Sequence, residues 1–309
     1  MRACVDIGGT KVAVSLAEAG SEQLQARQTE PTAKTGDNDA VAQQVLRLID
    51  AACAELGVAA KTIESVGVSS AGPFVLNDGC VELATPNICG GLAGPARGLP
   101  NDWMTAVLEA PLRQRFARVR VENDAVAALE AERRWGALKG MDHCAYVTWS
   151  TGVGVGLCVD GHALRGKNGN AGHAGHTFVS DDDNHDALCG CGNVGDVEGL
   201  IAGNSVERRF TQPAAELFAA AVAGDPKALH TTDALCRVMG RMLYNLVATL
   251  DLQAISLGGS VYWHNREFLL PRLQAEIDGR LLPLTRGVRL LSAGLGDKVG
   301  DYAALALVD

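Results

Sequence analysis

Residues 3–16 run Ala3-Cys4-Val5-Asp6-Ile7-Gly8-Gly9-Thr10-Lys11-Val12-Ala13-Val14-Ser15-Leu16. Apolar residues flank a turn built on two glycines, and Lys11 to Leu16 alternates, so the stretch reads as strand, tight turn, strand. The pattern returns in mid-chain. Ala145 to Trp149 is a strand, Ser150-Thr151-Gly152 a turn, and Val153 to Val159 a second strand spaced by glycines. Two hairpins with glycine-and-hydroxyl turns, one opening each half, predict a duplicated architecture with a cleft between the lobes.

Working outward, Val41, Val45, Leu48, Ile49, Ala52 and Leu56 fall at the three-and-four spacing of a helix between Asp39 and Leu56. Ile63 to Ser69 reads as a buried strand closed by Ala71-Gly72-Pro73. Arg118 to Val121 is another, delivering Glu122-Asn123-Asp124 to its end. A long helix carries the stripe Leu235, Val238, Met239, Met242, Leu243, Leu246 and Leu250 and ends at Asp251. Ala254 to Leu257 is then a strand running into Gly258-Gly259-Ser260, and Gly90 to Pro100 is a surface loop. Strands and helices alternating at this density predict an α/β class with mixed sheets covered by helices.

The chain has 309 residues, 47% hydrophobic and 20% charged, the balance of a folded soluble protein. At ~100–200 residues per domain, this length predicts two domains. Thirty-six acidic residues against 27 basic ones give a net charge of −9, which repels a phosphate backbone. The densest basic stretch, Arg113, Arg115, Arg118 and Arg120, is interleaved with apolar residues and runs into Glu122 and Asp124, so nucleic acid is not an expected partner. No run of eighteen apolar residues occurs and Asp6 breaks the first apolar stretch, so neither a membrane span nor a secretory signal is expected, and the location is expected to be cytoplasmic. Nine cysteines are scattered, and Cys4, Cys53, Cys144, Cys158 and Cys236 sit in apolar surroundings as reduced thiols. Cys189 and Cys191 alone are spaced like ligands.

Asp6-Ile7-Gly8-Gly9-Thr10-Lys11 has two readings. It is an ordinary glycine hairpin, or its backbone N–H groups with Thr10 and Lys11 cradle a phosphate. Ser150-Thr151-Gly152 favours the second reading, because two such turns can hold one polyphosphate. Gly258-Gly259 is a third turn, where backbone can approach a flat ligand such as adenine. Asn123-Asp124 is either a helix N-cap or a general base taking a proton from a substrate hydroxyl as it attacks a γ-phosphorus. His173-Ala174-Gly175-His176 is followed thirteen residues after His176 by Cys189-Gly190-Cys191-Gly192-Asn193-Val194-Gly195-Asp196. Imidazole and thiolate at this spacing suit tetrahedral zinc, with His176, Cys189 and Cys191 as three ligands. Asp196 is a candidate fourth, and His185, in the acidic run Asp181 to Asp186, a competitor.

These motifs, in this order, resemble the ROK family of sugar kinases and repressors: Asp6 to Lys11, Glu122-Asn123-Asp124-Ala125, Ser150 to Gly154, Ala171-Gly172-His173-Ala174-Gly175-His176, and Cys189-Gly190-Cys191-Gly192 through Glu198. The resemblance implies a two-lobed actin-like, ribonuclease H-like ATPase fold with an inter-lobe cleft. Residues 1–122 would form the N-terminal small lobe, joined by a C-terminal helix at about 298–309, and 123–297 the large lobe with the zinc-binding loop. It implies ATP and Mg²⁺, phosphates at Gly8, Gly9, Thr10, Lys11, Thr151 and Gly152, adenosine at Gly258 and Gly259, and Asp124 as catalytic base. Asp6 is expected to reach the magnesium through water. Asn87, Asn123, His176 and Glu198 match positions that hold sugar hydroxyls, and a homodimer is implied.

Two departures from the family stand out. Most members have glutamate where this sequence has His173, and the bacterial N-acetylmannosamine kinases resemble it in carrying histidine there. Thr85 to Gly91 and Gly175-His176-Thr177 resemble the same subgroup. A neutral imidazole in place of a carboxylate suits an N-acetyl group and an axial substituent. Asp196 stands where the family has its third cysteine, so structural Zn²⁺ is expected to be held more weakly or not at all. The expected function is ATP-dependent phosphorylation of the C6 hydroxyl of an N-acylated hexosamine, N-acetylmannosamine first, with a place in sialic-acid breakdown. Glucose or N-acetylglucosamine is the alternative acceptor. The family's repressors carry a helix-turn-helix ahead of the first turn, for which a turn beginning at residue 6 is expected to leave no room.

Overall fold

The structure, a computed structural model, describes residues 1–93, 98–180 and 186–308. It comprises two compact units, one of Met1–Ala131, Arg165–Ala171 and Gly300–Asp309, the other of Glu132–Leu164 and Gly172–Val299.

Among the described residues, the first unit contains eight strands. β1 (Arg2–Ile7), β2 (Lys11–Ala17), β3 (Gln25–Pro31), β4 (Ser65–Ser70), β5 (Phe74–Asn77), β6 (Cys80–Leu83), β7 (Ala106–Val107) and β8 (Arg118–Asn123) form two sheets, ordered β3-β2-β1-β4-β8 and β5-β6-β7. β1 and β2 pair antiparallel around the glycine turn, with Ile7 opposite Val12. β4 and β8 run parallel to β1, and the register sets Ile7 beside Ser70 and Ser70 beside Asn123. The glycine turn and the start of the helix Asp124–Trp135 thus leave the same carboxyl edge of the sheet, where open α/β sheets bind ligands. The helix Ala40–Leu56 buries Val41, Val45, Leu48, Ile49 and Ala52 on the sheet and stops at Gly57 in the left-handed region (φ 66°). The terminal helix Val299–Ala306 lies directly on β4, where a Cβ on Gly67 would strike the Ala304 carbonyl.

The second unit repeats this plan. β9 (Cys144–Trp149), β10 (Val153–Val159), β11 (His162–Ala163), β12 (Ala254–Gly258) and β13 (Arg289–Ser292) are ordered β11-β10-β9-β12-β13. β9 and β10 form the antiparallel hairpin, and β12 and β13 run parallel to β9 in turn, the same sequence of directions as in the first sheet. Its core packs Trp149 edge-to-face on Phe218, with centroids 6.0 Å apart. The helix Pro226–Leu250 adds Leu235, Met239, Met242, Leu243 and Val247.

The long helix begins nine residues before the first residue of the predicted stripe (235 − 226), because Asp225 caps it by accepting from the Ala228 N–H and Pro226 occupies the first turn. Gly90–Ala93 is a helical turn rather than loop, packed where a Cβ on Gly90 would strike the Asn101 carbonyl. β8 extends through Asn123, so Glu122 and Asn123 are strand residues and Asp124 opens the helix. His185, most of the acidic run Asp181 to Asp186, residues 94–97 of the predicted loop and Asp309 lie outside the described residues. No described helix is long and apolar enough to cross a membrane.

Candidate active site

In the first unit, the Ala125 N–H donates to both Asn123 Oδ1 (3.0 Å) and Asp124 Oδ1 (2.8 Å), which fixes both side chains at the strand-to-helix junction. The capping and catalytic readings of this pair are therefore compatible: one carboxylate oxygen takes a first-turn N–H while the side chain still reaches solvent. Although Asp124 is open to solvent, the protein crowded around it penalises the charged form and pushes the carboxyl up to about 6, opposed by the Ala125 N–H and reinforced by repulsion from Asp6. That value suits a base working near neutrality. Glu122, buried on the same strand, is held by Arg165 Nε (3.1 Å) and Arg120 Nε (3.2 Å), and Arg120 also reaches Glu130 (3.1 Å).

The Gly8–Lys11 turn is closed by Gly8 N–H to Lys11 C=O (2.9 Å). Thr32 occupies two of its carbonyls, donating Oγ1–H to Gly8 O (2.7 Å) and N–H to Thr10 O (3.1 Å). Thr10 and Lys11 remain exposed. A Cβ on Gly9 would lie 2.7 Å from the Cβ of Asn87, so glycine here admits the asparagine that the family motif assigns to sugar.

In the second unit, Glu198 reaches back to the other hairpin turn. Its Oε2 accepts the Val153 N–H (2.9 Å) and its Oε1 lies 3.4 Å from Cys189 Sγ. Gly258 pairs with Thr148 in register, and at Gly259 (φ 86°) a Cβ would lie 2.5 Å from the Trp149 carbonyl oxygen and 2.6 Å from Thr148 Oγ1, so a side chain has no room. Thr151, Gly152, Gly258, Gly259 and Glu198 are therefore brought to one edge of the second sheet.

His176, Cys189, Cys191 and Asp196 offer four donor atoms all within 4.8 Å of one another. His176 Nδ1 is 3.2 Å from Asp196 Oδ2 and 3.5 Å from Cys189 Sγ, and Cys191 Sγ is 3.4 Å from Asp196 Oδ2. Metal–ligand bonds of about 2.0–2.3 Å in a tetrahedron separate donors by roughly 3.3–3.8 Å, so these three separations suit zinc, within a set that spreads no further than 4.8 Å. Asp196 serves twice, since its Oδ1 caps the short helix Val197–Ile201 through the Gly199 N–H (2.7 Å) while Oδ2 turns into the cluster. Among the described residues it is the fourth donor.

His173 stacks on His176, with ring centroids 5.8 Å apart and 16° between planes. Its Nε2 is buried without a hydrogen-bond partner among the described residues. Burial, and then the neighbouring His176, hold its pKa below the usual histidine value, so the ring is neutral at pH 7.

Sequence reasoning missed Glu132. This fully buried carboxylate accepts from the N–H groups of Ala137 (2.8 Å), Gly294 (2.9 Å) and Leu295 (2.8 Å) and from the Ser256 hydroxyl (3.2 Å). Little in the local sequence marks it, because apart from Ala137, five residues on, its partners come from two distant segments.

The ROK family pattern matches residues 2–309. The chain is 29% identical to the glucokinase of Aeropyrum pernix, over 98% of this chain and 95% of that one. It is 32% identical to the N-acetylmannosamine kinase of Salmonella newport, over 83% and 82% respectively. A ROK family glucokinase from Streptomyces griseus, solved in complex with glucose and AMPPNP, superposes with a TM-score of 0.70 at 27% identity, over 99% of this chain and 98% of that one.

Proposed function

Since this chain belongs to the ROK family and is an ATP-dependent sugar kinase of actin-like fold, we propose that it phosphorylates the C6 hydroxyl of an N-acylated hexosamine, N-acetylmannosamine first. The observation that carries this choice is His173, a neutral ring whose buried Nε2 has no partner and which stacks on His176. A carboxylate at that position accepts from sugar hydroxyls. A neutral imidazole removes that charged acceptor and offers in its place a ring nitrogen able to hydrogen-bond a neutral amide. The Salmonella relative supports the same acceptor.

In this reading Asp124 takes the proton of the C6 hydroxyl as its oxygen attacks phosphorus. Asn87, Asn123, His173, His176 and Glu198 hold the sugar. The Gly8–Lys11 turn and Thr151–Gly152 hold phosphates, and Gly258–Gly259 hold adenosine. Asp6 would reach a magnesium ion through water, and that ion when bound would neutralise phosphate charge. His176, Cys189, Cys191 and Asp196 would hold a structural zinc that fixes the loop presenting His176 and Glu198.

The glucokinase relative matches more of the chain than the N-acetylmannosamine kinase, which favours glucose as the second reading. ADP release with N-acetylmannosamine, N-acetylglucosamine, glucose and fructose in parallel separates the two. The expected order places N-acetylmannosamine first, and saturable turnover confined to glucose overturns the assignment.

A further inference from the structure

Strand β3 is irregular where it passes the middle of β2. Its pairing shifts register between Val14 and Leu16, and Ala26 takes a φ of 49°, the left-handed conformation that marks a bulge. Such a bulge re-aims the next side chain. Here that side chain is Arg27, whose Nη1 donates to Asp301 Oδ1 at 2.7 Å, in the first turn of the terminal helix. As a fastener the pair is weak: both side chains are almost half exposed, at 46% and 47%, and exposed pairs contribute little to stability.

Its position is more informative. Arg27 and Asp301 line a cavity of about 20 Å³ together with Asp6, Cys4 and Ser15. Cys4 and Asp6 are two apart on β1 and so share the face that the cavity borders. The space is partly open and lined by apolar as well as polar groups; its volume admits about one water, for which Asp6, Ser15, Arg27 and Asp301 offer polar partners. Burial raises the pKa of Asp6, Lys11 and then Arg27 oppose that rise, and Asp301 adds to it.

We infer that Arg27 and Asp301 are positioning residues for Asp6, acting through one water in this cavity to aim its carboxylate at the Gly8–Lys11 turn. The terminal helix thereby sets the geometry of the acid that the proposed function assigns to magnesium, on which this inference rests. Arg27 is paired with Asp301 at its tip and aimed by the bulge at its root.

The test uses the full chain and two readouts. One is equilibrium binding of Mn²⁺ with ADP, followed by electron paramagnetic resonance, and the other is the Mg²⁺ concentration giving half-maximal rate. Arg27→Met is expected to weaken Mn²⁺ binding about tenfold and raise the Mg²⁺ requirement by the same factor, with the sugar KM unchanged. Arg27→Lys recovers most of the loss. The near-isosteric Asp301→Asn moves both quantities in the same direction, and it carries the test if Arg27→Met does not fold. Parental Mn²⁺ binding in Arg27→Met and Asp301→Asn, alongside a clear loss in Asp6→Asn, overturns the inference alone. Parental binding in Asp6→Asn as well overturns the role of Asp6 and the inference with it.

Discussion

A Cβ on Gly152 would lie 2.7 Å from Glu198 Oε2, the same oxygen that accepts the Val153 N–H. The turn proposed for phosphate and the glutamate proposed for sugar are thus in direct contact, and neither can move alone. Gly152→Ala is expected to displace Glu198 and lower kcat/KM for both substrates together, by about 10²-fold. Steady-state kinetics with each substrate varied in turn check this. A change confined to ATP would show that the contact does not couple the two.

Asp124→Asn is expected to lower kcat by about 10²–10⁴-fold, with sugar binding by calorimetry little changed. A variant with parental kcat removes Asp124 as the base.

The Asp124 carboxyl is raised to about 6, and a base works only when ionised, so kcat/KM is expected to fall as pH drops through about 6. Repulsion from Asp6 contributes to the raised value, so Asp6→Asn shifts that limb to lower pH in its residual activity. Linkage has the opposite sign for stability. A carboxyl whose pKa is higher in the folded state than in the unfolded one destabilises the fold once pH rises above both. Asp124→Asn is therefore expected to raise Tm at pH 8, with the advantage shrinking toward pH 4, as thermal melts across that range can show.

Zinc by elemental analysis is expected at about one per chain, and chelation is expected to raise the sugar KM before the KM for ATP. Asp196→Cys should tighten metal binding while removing the cap on Gly199, at a cost of about 1 kcal/mol to the metal-free fold. Metal-free protein with undiminished activity and unchanged Tm would eliminate the site.

Glu132→Ala leaves three backbone N–H groups and a hydroxyl without their acceptor in the interior. At ~1–3 kcal/mol for each orphaned donor, the loss is expected to be about 3 kcal/mol or more, read as a fall in the urea midpoint. An unchanged midpoint would mean that water replaces the carboxylate.

Both glycine hairpins, the helix Ala40–Leu56, β12 and the His-Cys loop were legible before any coordinates, because each is a pattern repeated over a few neighbouring residues. Other elements were legible but passed over. Asp225-Pro226 is a helix start, and Asp78-Gly79, both with positive φ, is the turn joining β5 to β6. β3 gave little signal, since Gln25-Ala26-Arg27-Gln28-Thr29-Glu30 is polar and partly exposed at a sheet edge.

Chemical identity was thus written in the order of residues: the acid, glycine and hydroxyl corners, the thiolate and imidazole spacing, and the periodicities of strand and helix are properties of adjacent positions. Packing alone brought Asn87 against Gly9, turned Asp196 Oδ2 toward His176, left His173 Nε2 unmatched and gathered four donors around Glu132. Apart from Ala137, five residues from Glu132, those partners stand 20 to 163 residues apart in the chain, and a contact at that separation exists only once the sheets and helices have buried their apolar faces.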